Sequence, residues 1–126
     1  MADTTADMVD DTGNGKGKLF VIWVLSILVA AAFFMAGGAK LTGAPTMVDL
    51  FAKIGVGQWL RYVTGTLEVI GAAGLLIPRI GRYAALLLCL VMIGAIVSHL
   101  TVLGGNPSAP VMLLILSGLI AYLRSR

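Results

Sequence analysis

Cysteine, histidine and charged residues are all scarce in this chain. It has one cysteine, Cys89, and one histidine, His99, and 12% of its 126 residues are charged. A single cysteine excludes an internal disulfide, and it excludes a thiol–disulfide exchange enzyme working alone, because a second thiol must resolve the mixed disulfide. One histidine and one cysteine likewise predict no metal site and no covalently bound cofactor. We interpret Cys89, which lies in an apolar run, as a small buried hydrophobe.

The few charges give a formal net charge of +3. The lysines and arginines flank apolar segments and form no basic run, so no nucleic-acid partner is predicted. Their placement is typical of residues that orient a protein in a membrane.

Apolar residues make up most of the chain. The hydrophobic set accounts for 59% of the chain, and the mean hydropathy is +0.99. These values predict an integral membrane protein with the lipid bilayer as its environment. Because about 20 apolar residues cross the hydrocarbon core, the length allows at most four or five crossings.

Four apolar segments of near-spanning length predict an all-α, four-helix membrane bundle. They cover residues 19–39, 62–77, 83–103 and 111–123. Residues 1–18 are polar and glycine-rich, and we interpret them as a disordered cytoplasmic tail before a transmembrane domain at 19–126. A cleaved signal peptide is the alternative for the first segment, but its apolar run exceeds the usual length of about 7–15 residues.

The loop after the first segment contains a further helical pattern. Met47, Leu50 and Phe51 recur with Ile54 at helical spacing, whereas charged residues lie off that face. The pattern predicts a short amphipathic helix at the membrane surface, in the first outer loop. An ordinary structured loop is the alternative.

The distribution of basic residues predicts the orientation. With four crossings both termini lie on one side, which also holds most of the lysines and arginines. The residues on that side are Lys16, Lys18, Arg79, Arg82, Arg124 and Arg126. Those on the other side are Lys40, Lys53 and Arg61. The positive-inside rule therefore predicts a multi-pass protein of the plasma (cytoplasmic) membrane with both termini in the cytoplasm.

Polar residues from three helices converge on the outer leaflet. Glu68 lies roughly 9 Å along its helix from the outer side and His99 roughly 6 Å, from the rise of 1.5 Å per residue. Lys40 ends the first helix and Arg61 opens the second at the same side. An acid at this depth normally faces the protein interior and has a partner, and Lys40, Arg61 and His99 are its three candidates.

Small residues accompany the polar ones. Gly65 and Gly71 share the Glu68 face of one helix, which would let a neighbouring backbone approach. Gly94 and Ser98 flank His99, and we predict a second packing surface there. One interpretation of the polar cluster is a structural ion pair. The other is a pocket for a small molecule with a polar head, for which a quinone would be suitable.

Three features of the sequence resemble the DoxX-like family of small four-helix membrane proteins. They are FFMAGGAKL at 33–41, TGTLEVIGAAGLLIP at 64–78, and His99 late in the third apolar segment. The resemblance implies a four-helix bundle with characteristic polar positions at Lys40, Glu68 and His99. Families of this type include a membrane subunit of a thiosulfate:quinone oxidoreductase, and relatives are linked to thiol and oxidative-stress defence with soluble partners.

The resemblance therefore implies a function in membrane redox chemistry. Because the chain lacks a cysteine pair, we predict an accessory subunit of a quinone-linked complex, with a soluble or membrane oxidoreductase as partner and no independent catalytic activity. The alternatives are a binder or carrier of a small lipophilic molecule and a structural scaffold.

Overall fold

The computed structural model describes residues 15–124, and these residues form helices and short connections without a strand. The elements are α1 (Lys16–Thr42), α2 (Pro45–Ile54), α3 (Trp59–Leu75), α4 (Gly81–Ser98), a π-helical turn (His99–Leu103) that continues α4, and α5 (Ser108–Arg124). Each of the four predicted apolar segments corresponds to one long helix. The helix predicted after the first segment is α2.

The helix boundaries differ from the predicted ones by a few residues. Helix α1 begins at Lys16, so the last three residues of the predicted tail are helical, while residues 1–14 lie outside the described part. The third apolar segment is not a uniform helix, because α4 changes to the π-helical turn at His99. The N–H of Gly104 donates to the carbonyl of His99 at 2.8 Å and closes this turn.

Glycine and proline set the two ends of α2. Gly43 follows α1 with φ of 79°, and Gly55 follows α2 with φ of 82°, a left-handed conformation that favours glycine at helix C-termini. Pro45 occupies the first turn of α2, where its missing N–H costs no helical hydrogen bond. The chain therefore stops α1, turns sharply and starts a new helix within a few residues.

Two of the described helices are long and apolar enough to cross a membrane, by length and composition: Lys16–Thr42 and Gly81–Leu103. Helix α5 is apolar but shorter, with 17 residues. Helix α3 also has 17 residues and contains Arg61 and Glu68.

The four long helices contact one another in a closed cycle. Helix α1 packs against α3 and α5, and α4 packs against the same two helices. Phe33, Leu75, Leu88 and Ile120, one from each helix, are fully buried between them. The outward faces carry large exposed apolar side chains, among them Leu28, Met35, Leu90, Leu100, Met112 and Ile115. Such a surface is suited to contact with hydrocarbon.

Helices α1 and α3 approach closely at two glycines. A Cβ added to Gly37 would lie 2.9 Å from the carbonyl oxygen of Gly65, and one added to Gly65 would lie 3.0 Å from the carbonyl oxygen of Gly37. The predicted small-residue face of α3 is thus a helix contact. It brings the end of α1 beside Glu68.

Replacing Gly37 by alanine is expected to lower the free energy of unfolding by about 1–2 kcal/mol, because the added methyl group would meet backbone that has no room to move. Its neighbour Gly38 supplies the matched control, since a Cβ there has nothing within 4 Å. Gly38→Ala should leave stability unchanged or raise it by up to about 1 kcal/mol. Thermal unfolding of both variants in the same detergent checks the pair, and equal effects would contradict the close contact.

Arg124 is folded into the helix assembly at the opposite end. Its Nη2 donates to the carbonyl of Leu75 at 2.8 Å, and its guanidinium lies 5.3 Å from the ring centroid of Trp23. A Cβ at Gly81 would overlap this guanidinium. The sequence indicates only a flanking cation here, whereas the structure shows a side chain that joins α5 to the end of α3.

Candidate functional site

A cavity of about 720 Å³ lies between the α3–α4 pair and the neighbouring ends of α1, α2 and α5. This volume falls within the range of sites for small molecules, roughly 300–1,000 Å³. Most of its wall is apolar, and the polar or charged side chains that line it are Lys40, Thr64, Glu68, Ser98, His99 and Asn106. The cavity is therefore largely apolar, with polar groups on part of its wall.

Lys40 is the partner of Glu68. The distance from Lys40 Nζ to Glu68 Oε1 is 3.0 Å, and the side chains are 14% and 1% exposed, respectively. Gly65, about one turn before Glu68, makes room for Lys40, because a Cβ at Gly65 would lie 2.9 Å from Lys40 Cβ. The ion pair thus depends on the same close approach of α1 and α3.

Arg61 belongs to the cluster without touching Glu68. It is 5% exposed, and its Nη1 donates to the backbone carbonyl of Lys40. That carbonyl is among the last four of α1, which have no partner within the helix. Arg61 lies in the predicted polar cluster but does not line the cavity. The guanidinium positions the end of α1, and among the described residues that line the cavity Lys40 is the one lysine or arginine.

Gln58 connects this cluster to α2, and sequence reasoning missed its role. Its Oε1 accepts a hydrogen bond from Arg61 Nε at 2.8 Å, and its Nε2 donates to the carbonyl of Val48 at 3.0 Å. A continuous path of polar contacts therefore runs from α2 to the Lys40–Glu68 pair. The only signal in the sequence is the position of Gln58 three residues, or one helical turn, before Arg61.

His99 lies on the cavity wall where α4 becomes the π-helical turn. Its Nδ1 is 3.0 Å from the carbonyl oxygen of Ala95. Because a carbonyl can only accept, Nδ1 is the donor in this bond. The structure brings His99 to the same cavity as Lys40 and Glu68, although it makes no ion pair with Glu68.

Helix α2 closes part of the cavity with its apolar side. Met47, Leu50, Phe51 and Ile54, the residues predicted to share one face, all line it. Phe51 is buried, whereas Asp49 and Lys53 are exposed. The sequence pattern therefore identifies the face of α2 that covers the site.

Of the small residues that flank His99, Ala95 packs against the apolar core. Gly94, Ala95 and Ser98 line the cavity, and a Cβ at Gly94 would have nothing within 4 Å. The small side chains on α4 border open space, whereas the small residues on α3 allow a neighbouring helix to approach closely. In the described range 15–124, no group of three or more histidine, cysteine or acidic residues is placed to hold a metal ion.

Comparison with known proteins places the chain in a family. It is 28% identical over 75 residues to the protein named "Putative oxidoreductase CatD" from Bacillus subtilis (strain 168), an alignment of 60% of this chain and 56% of that protein. The chain thus matches just over half the length of this relative. No solved structure matches it.

The model of the DoxX-like family matches residues 24–122, which is more than half of the chain. The matched segment includes all four residues of the polar cluster: Lys40, Arg61, Glu68 and His99. Together with the two long apolar helices, this match supports a location in a membrane. The chain belongs to the DoxX-like family.

Proposed function

We propose that the four long helices cross the plasma membrane as a bundle, with both termini in the cytoplasm and α2 as an amphipathic helix in the outer loop. The closed cycle of helix contacts and the exposed apolar side chains support this arrangement. Helices α3 and α5 have 17 residues each and span about 26 Å, close to the hydrocarbon thickness of about 30 Å. The excess of lysine and arginine at the ends that include the termini supports the orientation.

Cysteine labelling tests this topology. Gly105 lies in the connection before α5, on the side opposite the termini, and it is exposed. In a Cys89→Ala background, Gly105→Cys is expected to react with a membrane-impermeant maleimide added to intact cells, whereas a cysteine introduced at Arg79 should react only after the cells are opened. The reverse pattern would overturn the orientation.

The cavity serves, in this proposal, to bind a small lipophilic molecule with a polar head. The observation that carries it is the Lys40–Glu68 ion pair at the wall of a largely apolar cavity of about 720 Å³. A charged pair at membrane depth costs free energy, so a purely apolar contact would hold α1 and α3 together at lower cost. The pair gives the cavity a polar group that can orient a ligand.

The chain acts in this proposal as an accessory subunit of a redox or thiol-stress complex, with a quinone as the ligand that links it to electron transfer. Membership of the DoxX-like family and the similarity to a protein named as an oxidoreductase support the redox context. The single cysteine supports an accessory role, because sulfur chemistry would then require a partner protein.

Purification from native membranes in a mild detergent tests the proposal, with mass spectrometry of both proteins and small molecules. We expect a co-purifying oxidoreductase and a lipophilic molecule with an oxygen-containing head. In the Glu68→Gln variant, which keeps the shape of the side chain, the small molecule should fall at least tenfold while the protein still purifies intact.

The second candidate, a binder or carrier that works without a redox partner, is favoured by the size of the cavity. It predicts the same bound molecule without an oxidoreductase. A structural scaffold predicts neither a bound molecule nor an oxidoreductase. If Glu68→Gln kept full cellular function with lower stability, that result would support the scaffold and reject both ligand-binding functions.

A further inference from the structure

The cavity is closed at one end by a tight contact between α3 and α4. A Cβ at Gly71 would lie 2.6 Å from Leu88 Cδ2, and a Cβ at Gly74 would lie 2.7 Å from Ala84 Cβ. These two contacts fix the helices together near the end that includes Arg124. At Gly71 and Gly74 even a Cβ atom would be too close to α4, so nothing can pass between the two helices at this end.

Toward the other end residues of both helices line the cavity, which is open to the outside of the protein. Val63 on α3 and Leu90 on α4 both line the cavity, yet they are 44% and 67% exposed. Gly94, about one turn beyond Leu90, is also exposed and has open space where a side chain would begin. We call this gap, bordered by Val63, Leu90 and Gly94, the side opening.

The side opening lies at the depth of the bilayer if α4 crosses the membrane. Gly94 is 13 residues after Gly81, which places it roughly 20 Å along the helix from its start. The apolar helix continues to Leu103, so Gly94 lies well inside the span Gly81–Leu103. A molecule that passed through the side opening would therefore come from the hydrocarbon and not from water.

Lys40 offers a hydrogen-bond donor at the polar end of the cavity. Glu68 is 1% exposed and already bound by Lys40, whereas Lys40 is 14% exposed and uses one contact for the carboxylate. A lysine ammonium has three donors and no acceptor. Lys40 can therefore donate to a ligand atom while it keeps its bond to Glu68.

We infer that a single-chain lipophilic molecule with a carbonyl or carboxylate head enters the cavity sideways from the bilayer, through the side opening, and accepts a hydrogen bond from Lys40. This inference rests on the proposed ligand-binding function. Fatty acids and isoprenoid quinones share this chemistry, and the cavity recognises the oxygen of the head together with one apolar chain. A cationic amphiphile offers Lys40 no acceptor and would place a second positive charge beside it.

Photolabelling in proteoliposomes tests the route. The probes are a diazirine-bearing fatty acid, a diazirine-bearing decylquinone and a quaternary ammonium with the same chain as the fatty acid. We expect the first two, or one of them, to label cavity residues of the wild-type protein, and the ammonium probe to label them at least tenfold less. The relative labelling by the fatty-acid and quinone probes identifies which of these two classes of molecule the cavity binds.

Gly94→Phe should slow cavity labelling about tenfold by filling the side opening. Gly118→Phe is the matched control, because a Cβ at Gly118 also has open space but the residue lies outside the cavity on α5. Leu90→Ala should speed labelling, which keeps the test informative if the phenylalanine variant unfolds. Wild-type labelling rates in both Gly94→Phe and Leu90→Ala would overturn sideways entry alone. The absence of cavity labelling in the wild-type protein would overturn the ligand-binding function as well.

Discussion

Replacing Lys40 by methionine is expected to lower the free energy of unfolding by about 3 kcal/mol, because it leaves the Glu68 carboxylate buried without its partner. Glu68 is 1% exposed, and the Lys40 ammonium is its one ion-pair partner in the described residues. Methionine keeps the methylene stem that packs beside Gly65, so the loss reports on the charge and not on the packing. Thermal and denaturant unfolding in a fixed detergent provide the measurement.

The double variant Lys40→Met with Glu68→Leu is the control for this prediction. Removing both charges leaves no buried ion, and an apolar pair of similar volume is often as stable as the ion pair it replaces. We expect a stability within about 1 kcal/mol of the wild-type protein. If Lys40→Met alone were as stable as the wild type, Glu68 would not depend on Lys40 and the ion pair could not organise the site.

Replacing Arg61 by methionine is expected to lower the free energy of unfolding by about 2 kcal/mol, because two partly buried acceptors lose their donor. These are the carbonyl of Lys40 and the side-chain oxygen of Gln58. Because Gln58 also binds Val48, the loss should extend to α2 and speed the hydrogen exchange of that helix. Unfolding measurements and amide exchange of α2 check the two parts of the prediction.

Arg82 provides a matched control for Arg61. Both arginines stack on the tyrosine that follows them, with guanidinium-to-centroid distances of 4.4 Å for Arg61 and 4.9 Å for Arg82. The side chain of Arg82 donates to the hydroxyl of Tyr83 on its own helix, so Arg82→Met should change stability by less than about 0.5 kcal/mol. Equal losses in the two variants would show that the bonds from Arg61 to α1 and Gln58 contribute nothing.

The helices could be predicted because apolar runs of near-spanning length leave few alternatives. The predicted helix boundaries were less accurate, because a helix can extend beyond its apolar segment as long as its backbone N–H and carbonyl groups can form helical hydrogen bonds. Lys16–Lys18 extend α1 although they are polar, and His99 begins a π-helical turn that no periodicity marks. Helix α2 was predictable from Pro45 and the spacing of its apolar residues.

The members of the polar cluster were predictable, but their contacts were not. Depth along the helices brought Lys40, Arg61 and His99 to the level of Glu68, and depth alone gives no preference among three partners. Lys40 becomes the partner of Glu68 because Gly65 allows α1 to approach beside Glu68. Arg61 instead donates to the carbonyl of Lys40, which has no partner within α1. These are tertiary effects that a single sequence does not encode in its spacing.

The sequence indicates a pocket as one interpretation of the polar cluster, but it gives no signal for the extent of the cavity or for its opening. Helices α3 and α4 touch at Gly71 and Gly74, whereas the small residues near His99 border empty space. The same residue type thus has opposite roles on the two helices. Glycine on α3 admits a neighbour, and Gly94 on α4 leaves a gap.

Photocrosslinking from the protein side in living cells tests most directly whether the cavity beside Lys40 and Glu68 holds a discrete lipophilic molecule. A photoreactive amino acid at position 67 faces the cavity, because Leu67 lines it, whereas the same amino acid at position 70 replaces Ile70, an exposed side chain outside the cavity on the same helix. We predict an adduct of one defined mass at position 67, lost in Lys40→Met, and a mixture of bulk phospholipids at position 70. The same phospholipid mixture at both positions would contradict the presence of such a molecule.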